Sequence, residues 1–260
     1  MEITKIALPP GKKVYFASDQ HFGAPNPIAS KEREAKFIRW MDEIKEDAHV
    51  LFLMGDLFDF WHEWKHVIPR GYVRVLGKIA ELIDSGIQVH FFTGNHDLWM
   101  KNYFESELGV SVYFDKRYFL INDKKFFLAH GDGLGPGDKG YKRMKKLFTN
   151  PVAQWFFKWL HPDIAMQIAL YLSQKNKMIS GEEDKAFLGE DKEYLILYVK
   201  QKLKEEHWDY FVFGHRHLPM VLPIGEATYV NLGDWIGYFT YGVFDNTFSL
   251  KTYSDSKNEA

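Results

Sequence analysis

The chain has 260 residues, 46% of them hydrophobic, with a formal net charge of -2 and no cysteine. That is enough apolar material for one domain carrying an elaboration, read here as a single domain over residues 1–260, rather than two independent units. The balanced charge gives no sign of a nucleic-acid surface. The missing thiols exclude disulfides and thiolate metal sites, so any metal must be held by oxygen and imidazole nitrogen.

In chain order, residues 13–18 (KVYFAS) form a short apolar run that ends at Asp19-Gln20-His21. Helical spacing follows over 31–46, with Ala35, Phe37, Ile38, Met41 and Ile44 on one stripe. Residues 49–54 (HVLFLM) run into Gly55-Asp56. A second helical pattern covers 72–84, with Gly86 placed to cap its end. Residues 88–93 (QVHFFT) run into Gly94-Asn95-His96-Asp97, and residues 125–129 (KFFLA) into His130-Gly131-Asp132. A helix-rich stretch over about 138–178 separates these from a helical pattern at 193–206. Residues 209–213 (DYFVF) then end at Gly214-His215-Arg216-His217. The apolar runs read as buried strands. Their alternation with helices predicts an α/β layered core. The segment from about 226 to 252 is β-rich and punctuated by turns, which suggests antiparallel strands.

Five strand-like runs thus each end in a cluster able to ligate a metal. In open α/β sheets, ligands sit beyond the carboxyl ends of the strands. Two divalent cations about 3.5–4 Å apart need a bridging group and several ligands each. A carboxylate suits the bridge, and neutral imidazoles with an amide oxygen complete the set without adding charge. Asp19, His21, Asp56, Asn95, His130, His215 and His217 supply that chemistry. Residues two apart on an extended segment face the same side, so Asp19 with His21, and His215 with His217, are each expected to point at one pocket.

With these motifs in place, the chain resembles the calcineurin-like metallophosphoesterase family, whose set reads D-x-H, G-D, G-N-H, H and G-H-x-H. The resemblance implies a four-layer α-β-β-α sandwich with a helical lid insertion. It implies that Asp19, His21, Asp56 and His217 hold one metal, that Asp56 bridges, and that Asn95, His130 and His215 hold the other. His96 would act at the phosphate, with Asp97 as its orienting partner. The implied chemistry is phosphoester hydrolysis by water activated on the metal pair. Gly55-Asp56-Leu57-Phe58-Asp59-x-Trp61, His130-Gly131-Asp132-Gly133, Gly137-Asp138-x-x-Tyr141 and Leu232-Gly233-Asp234-Trp235 look like the UDP-2,3-diacylglucosamine diphosphatase branch. That branch cuts the pyrophosphate of UDP-2,3-diacylglucosamine to UMP and lipid X in lipid A synthesis, uses Mn2+, and works at the cytoplasmic face of the inner membrane. Fe and Zn are the other metals suited to these ligands. Best-known members carry Arg where this chain carries His96. The branch implies substrate contacts at Asp138 and Tyr141.

The insertion brings Met144, Leu147, Phe148, Val152, Trp155, Phe156, Trp159 and Leu160 together at helical spacing, beside Lys139, Lys142, Arg143, Lys145 and Lys146. This predicts a lid whose Trp155 and Trp159 read acyl chains and whose basic cluster meets an anionic membrane surface. The N-terminal residues lack a long apolar h-region, and charges interrupt every apolar run, so a cytoplasmic chain that touches but does not span a membrane is expected. No nucleic acid and no obligate protein partner is expected. The rival readings are another metallophosphoesterase, such as a nucleotide phosphodiesterase or nuclease, and a non-catalytic scaffold of the same fold.

Overall fold

The computed structural model describes residues 2–136, 139–180 and 187–255, without the side chains of 139–141, 144, 147 and 174–180. In chain order the strands are β1 (Ile3–Ile6), β2 (Lys13–Ala17), β3 (Ala48–Leu53), β4 (Gln88–Phe92), β5 (Ser111–Tyr113), β6 (Arg117–Ile121), β7 (Lys124–Leu128), β8 (Tyr210–Phe213), β9 (Met220–Ile224), β10 (Ala227–Asn231), β11 (Thr240–Phe244) and β12 (Phe248–Thr252). The helices are α1 (Pro27–Ile44), α2 (Val73–Asp84), α3 (Tyr103–Leu108), α4 (Lys139–Phe148), α5 (Pro151–Lys158), α6 (Pro162–Ser180) and α7 (Tyr194–Lys202).

The strands form two six-stranded sheets, ordered β12-β11-β2-β3-β4-β5 and β1-β6-β7-β8-β10-β9. Their facing sides share one core that includes Phe16, Phe52, Phe119, Phe126, Val212 and Val230. The outer side of the first sheet packs Leu51, Leu53 and Phe91 against Phe37, Met41, Val75 and Ile79 of α1 and α2. The outer side of the second packs Phe127, Phe211 and Phe213 against Leu195, Ile196 and Val199 of α7. The expected α-β-β-α sandwich is therefore present. It also explains why the central strands read as unbroken apolar runs. Val50 and Phe52 enter the inter-sheet core while Leu51 and Leu53 enter the helix-facing one, so both faces of β3 are dry.

Helix α1 starts four residues before the predicted pattern. Asn26 Oδ1 accepts from the Ile28 and Ala29 amides, each at 3.1 Å, and Pro27 takes the first helical position. The C-terminal strands pair antiparallel as expected, β10 with β9 and β11 with β12, but they are divided between the two sheets. β10 lies parallel to β8 in one sheet, while β11 and β12 complete the other, with β11 antiparallel to β2. The chain crosses between sheets over residues 232–239, and that crossing passes the strand ends: Trp235 N donates to Asp19 O at 3.2 Å.

Helices α4–α6 form the insertion between β7 and α7. It is tied down by Trp99 Nε1 donating to Phe148 O at 2.6 Å and by Ser173 Oγ donating to Asp59 Oδ2 at 2.9 Å. Phe157 packs on Trp99, His62 and Phe60, with ring centroids 4.4, 5.2 and 5.9 Å apart. Among the described residues no helix is long and apolar enough to cross a membrane.

Candidate metal centre

The loops after β2, β3, β4, β7 and β8 converge at one edge of the sandwich, held by backbone bonds that run from loop to loop. Asp19 N donates to Gly55 O at 3.0 Å, His21 N to Asp56 O at 2.9 Å, and Gly214 N to His130 O at 2.9 Å. Gly55 has φ of 103°, and a Cβ there would run into the His130 ring. A Cβ on Gly94 would run into the Asp56 carboxylate. These glycines let the loops approach as closely as the cluster requires.

The expectation that Asp19/His21 and His215/His217 share a side through extended backbone is incorrect. Asp19, His21, Asp56, His215 and His217 all have positive φ, between 46° and 68°. Each D-x-H or H-x-H pair points inward through left-handed turns, a conformation that costs non-glycine residues and is concentrated at functional sites. Cross-bonds hold the turns. His215 N donates to Asp19 Oδ2 at 2.9 Å, and His96 N donates to Asp56 Oδ1 at 2.8 Å. Arg33 of α1 donates to His21 O at 2.6 Å. Between the two histidines, buried Arg216 pairs with Glu193 at 3.0 Å and anchors their loop to the start of α7.

Two groups of the expected ligands meet here, beside a third group of His21, Asp59 and His96. In the first, His21 Nε2 lies 3.3 Å from His217 Nε2 and 3.8 Å from Asp19 Oδ1, and His217 Nε2 lies 3.4 Å from Asp19 Oδ1. In the second, His130 Nε2 lies 3.3 Å from Asn95 Oδ1 and 3.4 Å from Asp56 Oδ2, with His215 close enough to complete the set. Asp56 Oδ2 also lies 3.6 Å from His21 Nε2, so one oxygen stands between the two groups.

The ring partners fix where the protons belong. His130 Nδ1 faces Met54 O at 2.8 Å, and His217 Nδ1 faces Asp234 Oδ2 at 3.2 Å. Both acceptors require a proton on Nδ1 and leave Nε2 as a bare lone pair. Those lone pairs point at carboxylate and amide oxygens and at each other. A cluster of acceptors aimed at common points is reconciled by cations, and the donor set of carboxylate, imidazole and amide suits a hard-to-borderline divalent ion.

Without cations, protons carry the compensating charge. Burial pushes the Asp19 and Asp56 carboxyls up, but the imidazoles outweigh it, chiefly His217 for Asp19 and His130 for Asp56, and hold both well below the usual carboxylate range. Burial opposes charge on His130, yet Asp56 and Asp19 push it up to about 10. His215, buried and beside His130, is pushed down to about 4. A bound cation takes over the positive role and inverts this balance.

Among the other anticipated residues, His96 lies at the centre and Asp97 has a different task. Asp97 accepts from Leu57 N at 3.1 Å and Gly94 N at 2.5 Å, joining the β3 and β4 loops, and burial together with Asp56 pushes it up to about 8. The partners of His96 are instead Asp59, whose carbonyl lies 2.8 Å from Nδ1, and Ser173, whose hydroxyl lies 3.4 Å from the same atom. Asp138 lies outside the described residues, as does the Tyr141 side chain. Trp155 and Trp159 are 54% and 74% exposed on the outer face of the lid and do not line the cavity beneath it. Helical spacing shows that a face is apolar without showing which way it turns. Asp59, Ser173 and Asp234 were not anticipated as site residues. Asp59 and Asp234 both stand inside the branch-like stretches 55–61 and 232–235, whereas nothing local marks Ser173.

Strand-end loops that gather carboxylate, amide and imidazole groups around a shared Asp56 define a metal-dependent phosphoesterase site, and the chain belongs to the calcineurin-like phosphoesterase family, whose pattern matches residues 12–219. Within that family it is 36% identical over 249 residues to the UDP-2,3-diacylglucosamine hydrolase of Porphyromonas gingivalis, covering 90% of this chain and 95% of the relative. The Haemophilus influenzae protein of the same name is 28% identical over 227 residues, covering 86% and 91%. Among solved structures, an archaeal phosphodiesterase superposes with a TM-score of 0.47 and 15% identity over 93% of this chain and 99% of its own.

Proposed function

We propose that this chain hydrolyses the pyrophosphate bond of UDP-2,3-diacylglucosamine, releasing UMP and lipid X, with a pair of divalent cations, Mn2+ in the cell, as its cofactor. Asp19, His21, Asp56 and His217 hold one cation, and Asp56, Asn95, His130 and His215 the other. When bound, the pair polarises phosphoryl oxygens and acidifies a coordinated water. The chain's own groups do the rest. His96, its Nδ1 held against Asp59 O, acts at the phosphate and its leaving oxygen. Asp97 fixes the separation of the β3 and β4 loops, and Asp234 keeps His217 in its ligating tautomer. Residues 1–260 act as one domain, with the insertion as its lid.

The observation that carries the substrate is a cavity of about 210 Å³ that opens from Asn95 and His96 and is walled by Phe60, Trp99, Phe148, Phe157, Ile168 and Leu172. An apolar chamber beside the phosphate is what the acyl chains of a diacylated sugar require. The same lid exposes Val152, Trp155, Phe156, Trp159 and Ile164, and Arg143, Lys146 and Lys158 on its helices are exposed too. That combination supports peripheral attachment at the inner face of an anionic membrane, where the lipid substrate resides.

The test is UMP release from UDP-2,3-diacylglucosamine in detergent with added Mn2+, followed by mass spectrometry. Release that stops on chelation and returns with metal is expected. Metal-dependent cleavage of a chromogenic phosphodiester without any cleavage of the lipid would overturn the substrate assignment.

A further inference from the structure

A second recess, distinct from the apolar cavity but sharing Lys145 with it, adjoins the metal cluster at His130. It begins at His130 and Asp132 after β7 and runs past Lys145 to Tyr113, Phe114, Asp115 and Lys116 after β5. Thr93 N donates to Tyr113 O at 2.9 Å, so the end of β5 is locked beside the metal loop that follows β4. The recess therefore lies on the same carboxyl edge of the sandwich as the metal ligands, where α/β sheets bind their ligands.

The two recesses differ in chemistry. The first is walled by aromatic and aliphatic side chains. The second offers two lysines, two carboxylates and the Phe114 ring, which is 53% exposed. Lys145, reaching down from α4, borders both recesses and pairs with Asp132. The enclosed part of the second recess measures about 30 Å³, too little to swallow a base. It can take phosphate or ribose oxygens, with a flat base resting on the open face of Phe114 at its rim.

We infer that this recess is the subsite for the nucleoside monophosphate half of the substrate, with Phe114 as the stacking platform for the base, Lys116, which pairs with Asp115 at 3.5 Å, as its contact to the ribose oxygens, and Lys145 as its phosphate contact. This rests on the proposed reading of the substrate as a nucleotide joined to a lipid through pyrophosphate. A pyrophosphate centred on the cations must send its two ends in different directions. One apolar recess borders Asn95 and His96 and one polar recess borders His130, so the acylated sugar and the nucleotide are sorted by polarity. Base stacking on an aromatic ring tolerates any base, so the site selects a nucleotide over an acyl chain rather than one base over another.

The test uses the Mn2+-loaded full chain and a small chromogenic diester, bis(p-nitrophenyl) phosphate, with UMP and inorganic phosphate as competing inhibitors. Both inhibitors reach the cations, but UMP alone extends into the recess. UMP should bind wild type more tightly than phosphate does. Phe114→Ala and Lys116→Ala should each weaken UMP inhibition about tenfold, as for a lost stacked base or charged contact, while the phosphate inhibition constant stays in place. Lys116→Arg should restore UMP binding. Each constant is read within one variant, so differences in turnover cancel. Equal inhibition of wild type by UMP and phosphate, or variants in which both constants move together or neither moves, would overturn the subsite. A chain that passes this test yet does not cleave the lipid nucleotide keeps its nucleotide subsite and loses only the lipid half of the proposed function.

Discussion

His217 shows how much of the metal site is set by atoms that touch no metal. Its Nδ1 faces Asp234 Oδ2, whereas Asp234 Oδ1 accepts from the amides of Ile236, Gly237 and Tyr238 at 3.0, 2.8 and 3.1 Å. One oxygen builds the turn and the other sets the tautomer. Asp234→Asn, with its amide oxygen kept at the turn, presents an N–H to Nδ1 and drives the His217 proton onto Nε2. Metal affinity should fall about 10–100-fold, the usual cost of losing such an orienting group, with activity recovered at high Mn2+. Metal titration of both proteins checks this, and an unchanged affinity would remove Asp234 from the ligand machinery. At this scale the sequence was readable where chemistry and motif coincide, as at Asp19-x-His21. It was unreadable where a partner comes from elsewhere in the chain: Asp234 is seventeen positions from His217, and Ser173 reaches His96 from the lid.

At the scale of elements, the lid divides its apolar residues between two faces. Phe157 turns inward against Trp99, while Trp155 and Trp159 turn outward. The two faces should separate in experiment. Phe157→Ala should raise KM for the diacylated substrate at least about tenfold, in line with a lost aromatic wall, with a much smaller effect on bis(p-nitrophenyl) phosphate. Replacing Trp155 and Trp159 together by Ser should instead weaken sedimentation with anionic phosphatidylglycerol vesicles and leave kinetics on detergent-dispersed substrate near wild type. Equal losses on both substrates for Phe157→Ala would assign that ring to packing alone. The periodicity of 144–160 disclosed the helices and their apolar character. Their facing depends on Trp99 and Phe60, which lie far back in the sequence, and no local pattern encodes that contact.

Across the whole molecule, the inter-sheet core holds a titratable group that links stability to pH. His90 lies in β4 among Phe52, Phe119 and Tyr113, with Nδ1 3.0 Å from the Tyr113 hydroxyl. Burial pushes its pKa down to about 4. The unfolded chain takes up this proton near pH 6.5 and the folded chain only near pH 4. The stability held by neutral His90 is thus fully present above about pH 6.5 and is lost as pH falls toward about 4, by up to about 3 kcal/mol. Urea unfolding of metal-free protein should show the advantage of wild type over His90→Gln shrinking between pH 7 and pH 4.5. A constant difference would mean that His90 is not buried in its neutral form. The same core explains the strand assignments: β2, β3, β4, β7 and β8 are dry on both faces and stand out as apolar runs, while β1, β5, β6 and β9 are partly exposed and were not recognised.

The sequence alone determined the layered α/β class, the five strand ends, and the nature of the metal donors, because these follow from short-range patterns of burial and from the side-chain chemistry that a divalent cation demands. Only the tertiary structure decided the left-handed turns that aim the ligands, the roles of Asp59, Asp97, Ser173 and Asp234, the facing of the lid, and the two recesses of opposite polarity. Each of these depends on contacts between segments far apart in the chain, and such contacts come into being when the two sheets close on their shared core.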